Sequence, residues 1–127
     1  MKELSVESSR RTEFILITQA VVEAVRSLEI RDAVVTVFVP HTTAGVTLNE
    51  NADPDVATDL KGALDRLVPW SSGYAHAEGN SAAHVKASLM GSSVRIPVLG
   101  GRVRMGTWQG IYFCEFDGPR RRTIWVF

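Results

Sequence analysis

Short apolar runs alternate with polar breaks along this chain, and their period changes from two to helical and back. In residues 3–7, Leu4 and Val6 fall on one face, which predicts a half-covered strand. A polar turn over residues 8–12 follows. Phe14, Ile15, Leu16 and Ile17 then predict a second, buried strand over residues 13–17. Thr18 is placed to cap a helix over residues 19–28, where Val21, Val25 and Leu28 recur at helical spacing. Residues 33–39 are polar only at Thr36 and read as a central strand covered on both faces. Pro40, which cannot donate to a ladder, ends that strand.

His41 to Gly45 reads as a loop, after which Val46, Thr47 and Leu48 resume extended structure. Asp53 followed by Pro54 is a helix start, with Asp53 as N-cap and Pro54 in the first helical position. Asp55 and Asp59 suit the positive end of that helix. Val56, Leu60, Ala63, Leu64 and Leu67 form its expected buried stripe, and Pro69 closes it. A further short helix begins near Ser81, capped by Asn80 or Ser81. Beyond it the pattern is all strand and turn. Val94, Ile96 and Val98 share a face, and Gly100 with Gly101 signals a hairpin into Val103. Residues 107–117 form a longer strand, and residues 123–127 close the chain with Trp125 and Phe127 on one side. Strands at both ends and helices in the middle define an α+β class, helices packed on a mainly antiparallel sheet system.

Length makes this one domain over residues 1–127, large enough for a core without disulfides or a structural metal. Fourteen basic residues balance fourteen acidic ones, which argues against a nucleic-acid module. Arg120, Arg121 and Arg122 are read as a solvated turn after the Asp117-Gly118 signal. The single Cys114 sits among apolar neighbours and is expected to be a buried, inert thiol. No apolar run suits a membrane, and residues 1–11 lack the apolar core of a signal peptide. A cytoplasmic protein without membrane partners is expected.

Chemistry concentrates in two polar stretches carrying the three histidines, His41 in one and His76 and His84 in the other. Their spacing matches no local zinc motif such as HExxH. If they converge, they supply three neutral nitrogens and leave a fourth position open, the arrangement of a catalytic zinc. The helix start near Ser81 doubles as a candidate anion site. Ser88 lies one turn beyond His84 on the same face, while Lys86 points elsewhere. A buried helix hydroxyl and a solvated lysine are the plainer readings of these two. Asn51 and Asp53 are explained by turn and cap chemistry. Glu50 has no such structural reason and is the better candidate for a ligand or general base. Glu115 shares a strand face with Ile111 and Phe113, so its carboxylate must find a partner or the surface.

The motifs HTTAGVTLNENADPDV, YAH, AHVKASLMG and GRVRMGTWQGIYFCEFDG resemble the YjbQ family, also called UPF0047, in order and over nearly the whole chain. The resemblance implies an α+β, sandwich-like single domain that assembles as a homotrimer. It implies a divalent metal, zinc with magnesium as alternative, on His41, His76 and His84. It also implies polar site positions at Thr42, Thr43, Asn49, Glu50, Asn51, Lys86, Ser88, Gln109 and Glu115. In that family the second histidine is often followed by an acidic residue, where this chain has Ala77, with Glu78 one place on. The implied activity is a secondary thiamine-phosphate synthase reaction, joining a pyrimidine diphosphate to a thiazole phosphate. Glu50 or Glu115 would act as base, with Lys86 and the helix start holding phosphate. A metal-hydroxide hydrolase of phosphate or acyl esters, and a non-catalytic metal- or metabolite-binding trimer, are the alternatives.

Overall fold

The structure is a computed structural model that describes all 127 residues. Eight strands and three helices follow one another as β1 (Lys2–Glu7), β2 (Glu13–Leu16), α1 (Thr18–Ser27), β3 (Ala33–Phe38), β4 (Ala44–Glu50), α2 (Pro54–Leu67), α3 (Ser81–Met90), β5 (Ser93–Leu99), β6 (Arg102–Val103), β7 (Gln109–Glu115) and β8 (Arg121–Val126). The strands form two antiparallel sheets, one ordered β1-β8-β3-β5-β6 and the other β2-β7-β4. The α+β class and antiparallel sheets expected from the pattern are those observed, and so is the sandwich-like arrangement that the resemblance implies. The polar stretch over residues 8–12 does not close a hairpin. It carries the chain from one sheet to the other, since β1 pairs β8 and β2 pairs β7.

The main core lies between the sheets and under α1. Val35 and Val37 of β3, Ile96 and Val98 of β5, Ile124 and Val126 of β8, and Ile111 and Phe113 of β7 meet Val21 and Val25. Full burial of each large apolar side chain contributes about 1.5–3 kcal/mol. Strand β7 is covered on its other face as well. There Tyr112, Cys114 and Phe116 pack against Ala83 and Ala87 of α3, with Ala57 and Leu64 of α2 at the margin. The alternation of Ile111, Phe113 and Glu115 against Tyr112, Cys114 and Phe116 is thus a division between two hydrophobic layers.

Several local expectations are corrected. Thr18 is not a cap: Ile17 occupies that position without a side-chain bond. The Thr18 hydroxyl instead accepts from Ile111 N–H at 2.9 Å, tying α1 to β7. Strand β3 is central but covered on one face only, with Val34 half exposed. Leu16 is also half exposed, because β2 is an edge strand. Asp53 does cap α2, accepting from Asp55 N–H at 2.9 Å. The apolar stripe of α2, however, has no fully buried member, and Leu67 is 74% exposed. Arg122 is no solvated turn residue: it belongs to β8 and is 4% exposed, pointing inward with Ile124 and Val126.

Candidate histidine cavity

Three connections and one helix converge at one end of the sandwich. His41 follows Pro40 where β3 ends, and His76 lies between α2 and α3. His84 stands in the first turns of α3, and Asp117 and Arg120 sit between β7 and β8. Gly45 lets these parts approach. Val46 N–H donates to Gly91 O at 3.1 Å, and a Cβ on Gly45 would lie 2.7 Å from that oxygen. The end of α3 therefore presses directly on the start of β4, which brings the His41 loop beside His84.

Together they line an open cavity of about 780 Å³ containing all three histidines, Glu78, Asp117 and Arg120. The rings of His76 and His84 stand edge to face with centroids 5.5 Å apart. His76 Nε2 lies 3.9 Å from Glu78 Oε2, a pair exposed enough to be weak. An adjoining hollow of about 500 Å³ shares His41, Thr42, His84 and Ser92 with it and adds Ser88. Ser88 is an exposed hydroxyl donating to His84 O at 3.0 Å, not the buried one expected. At the head of α3, Asn80 makes no capping bond. Its Nδ2 donates to Asp117 Oδ2 at 2.9 Å, and its buried Oδ1 has no partner.

Behind His41 lies a buried ionic network joining the two sheets. Glu115 is fully buried and paired with Arg122, whose Nε donates to Oε1 at 2.9 Å and whose Nη2 donates to Oε2 at 2.5 Å. Glu115 also accepts from Ser8 Oγ at 2.7 Å and from Phe116 N–H and Asp117 N–H at 3.1 Å. Burial by itself would raise its pKa. The bonds from Arg122, Ser8 and Asp117 overcome that and hold it below the usual carboxylate range. Arg122 Nη2 also donates to Thr43 Oγ1 at 2.8 Å, so the His41 loop is anchored on this pair.

Thr123, next along β8, donates its N–H to His41 Nε2 at 2.9 Å. That bond needs the lone pair of Nε2, which places the proton of the neutral ring on Nδ1. Burial, followed by the nearby Arg122 guanidinium, holds the His41 pKa below its ordinary value, so the neutral ring is favoured. His41 thus offers the cavity an N–H donor. A metal ligand must offer a lone pair, and no group of three or more His, Cys, Asp or Glu side chains is arranged to hold a metal ion. As placed, the three histidines do not fit a three-nitrogen metal centre, although they share one cavity.

Most of the remaining candidate residues are elsewhere. Asn49, Glu50, Asn51 and Gln109 gather where β4 pairs the start of β7, and none lines the cavity. Asn49 Oδ1 accepts from Glu50 N–H at 2.7 Å and Gln109 Oε1 from Gly106 N–H at 2.8 Å, local bonds that stiffen this end. Glu115 is a fully buried structural support, whereas Thr43, nearly buried and bonded to Arg122, does line the cavity. Lys86 is not solvated: it is buried on the far side of α3 from His84 and bonded to Asp65. Asp117, Asn80 and Arg120 were not anticipated as cavity residues. One signal existed for Arg122, whose period-two relation to Ile124 and Val126 marks it as inward-facing.

The fold and this cavity define a class of small two-sheet α+β domains with a polar, histidine-lined end. Residues 2–127 match the family model described as UPF0047 protein YjbQ-like, and the chain belongs to that family. It is 46% identical over 127 residues to the UPF0047 protein YugU of Bacillus subtilis, covering 99% of this chain and 96% of the relative. It is also 46% identical over 121 residues to a UPF0047 protein of Methanocaldococcus jannaschii, covering 95% and 88%. A crystal structure of an uncharacterized YjbQ/UPF0047 protein from Clostridium acetobutylicum superposes with a TM-score of 0.98 at 52% identity, covering 100% and 98% of the two chains. No helix is long and apolar enough to cross a membrane.

Proposed function

We propose that the histidine cavity takes a phosphorylated small molecule and performs acid–base chemistry on it. The observation that carries this reading is the gathering of all three histidines, from three separate segments, on one open polar cavity. In this reading His41 donates from Nδ1 to a phosphoryl oxygen, and Arg120 at the rim supplies positive charge. His76 and His84 are the imidazoles placed to move protons. Within this class, the family resemblance suggests joining a pyrimidine diphosphate to a thiazole phosphate. The test is formation of thiamine phosphate from those two substrates, in the parent and in His84→Ala. Loss of about 10²–10⁴-fold in rate is expected for a proton-moving residue. An unchanged rate in the variant would remove His84 from the chemistry.

A second reading, favoured by the shared cavity, is a divalent metal, zinc before magnesium. It requires the His41 ring to turn over and give up its bond to Thr123. Zinc and magnesium titrations of chelator-treated protein decide it: stoichiometric binding lost in His84→Ala supports the metal, and no binding removes it. We also read the protein as a cytoplasmic homotrimer. The free Cys114 is consistent with a reducing compartment. The exposed Leu67, Leu16 and Trp108 are consistent with assembly, and the resemblance supplies the number three. Light scattering of the eluted protein at one chain mass would refute the trimer.

A further inference from the structure

A second polar cavity, of about 550 Å³, lies on the opposite side of α3 and is lined by Arg10, Arg11, Thr12, Asp65, Trp70 and Lys86. Its floor is unusual. The Lys86 side chain is 3% exposed, and its one bonded partner is Asp65, itself 61% exposed. An ammonium has three protons to donate, and burial makes each unmatched one costly. Arg10 and Arg11, on the crossing between β1 and β2, flank the same space, and neither meets a carboxylate. The Arg11 guanidinium lies 4.2 Å from the centre of the Trp70 ring, held over its face instead. Three cations therefore face one carboxylate around a concave space with hydroxyl and indole walls.

We infer that this cavity is a binding site for a phosphoryl group, separate from the histidine cavity. Its donors are Lys86 Nζ from below and the Arg10 and Arg11 guanidiniums from the rim. Guanidiniums pair with tetrahedral oxyanions in bidentate fashion, and a partly desolvated ammonium adds a fixed charge. Thr12 adds a hydroxyl. Asp65 competes for Lys86, so its charge sets the affinity. Because Lys86 and His84 are two positions apart on α3, they face opposite ways, and one phosphoryl group cannot reach both. The inference does not rest on the function proposed for the histidines.

Inorganic phosphate is the probe, titrated at constant ionic strength into the whole protein. Binding is read by calorimetry and by the indole N–H resonance of Trp70, assigned with Trp70→Phe. Phosphate is expected to shift that resonance as Arg11 leaves the ring for the anion. The exposed double variant Arg10→Ala/Arg11→Ala should weaken binding at least tenfold while keeping the native spectrum. Asp65→Asn should tighten it severalfold, an effect that a purely structural salt bridge would not produce. His84→Ala should leave the Trp70 response unchanged. Glycerol 3-phosphate, run in parallel, separates a site for free phosphate from one for a phosphorylated molecule by which binds more tightly. A silent Trp70 resonance, or equal affinity in the arginine double variant, would overturn the inference. So would loss of the Trp70 response in His84→Ala.

Discussion

Replacing Arg122 by methionine tests whether the buried ionic network behind His41 holds the two sheets together. Arg122 is 4% exposed and Glu115 is fully buried, and no other cation bonds Glu115. Removing the guanidinium strands a carboxylate in the core, a change that costs about 3–5 kcal/mol. A domain of this kind has about 5–15 kcal/mol of stability in total, so the loss is a large share. The additional change Glu115→Gln removes the stranded charge while keeping an acceptor for Ser8. It is expected to recover about 2 kcal/mol. Urea unfolding at fixed protein concentration measures all three proteins, since any assembly makes stability concentration-dependent.

The pH dependence sharpens the test. The parent's Glu115 has a folded pKa below the ordinary carboxylate range. Its contribution is therefore fully present above the unfolded value and is lost as pH falls through the folded one. In Arg122→Met burial dominates, the pKa rises above the unfolded value, and acid relieves the strain instead. The gap between parent and variant should shrink from about pH 7 to about pH 4. A penalty below about 1 kcal/mol, the level of an exposed ion pair, would refute the reasoning. So would a gap that stays constant over that range.

Three further outcomes are expected. Gly118→Ala should be among the most damaging small substitutions, because its Cβ would lie 2.3 Å from Arg10 O and 2.5 Å from Ser8 Oγ. Overpacking against backbone costs about 1–3 kcal/mol, read as a lower urea midpoint. Asp53→Ala removes the cap of α2 and should cost about 1 kcal/mol in the same assay. Cys114 is fully buried and its thiol pKa is pushed up by burial, so a thiol reagent at pH 8 should label the protein only under unfolding conditions. Rapid native labelling would contradict that placement.

Local pattern determined much of the fold. The period-two faces of β5 and β7, the turn at Gly100 and Gly101 with φ of 58° and 76°, and the Asp53-Pro54 helix start are each properties of a few adjacent residues. Backbone sterics and side-chain alternation decide them without reference to the rest of the chain. The three histidines were also marked by sequence as the chemical residues, and they do share a cavity.

What tertiary structure alone decided was which polar groups meet. Ser8 and Glu115 are 107 positions apart, and Thr123 reaches His41 across 82. No local rule brings them together, because the pairing of β1 with β8 and β2 with β7 sends neighbouring segments to different sheets. The same topology turned Arg122 from an expected surface charge into the partner of Glu115. It also turned Lys86 from a solvated lysine into the floor of a second cavity, and left Glu50 outside the first. Sequence identifies a charge or an imidazole. Its protonation, its free lone pair and its partner depend on desolvation and on groups delivered from distant strands, and those exist only once the sheets have closed.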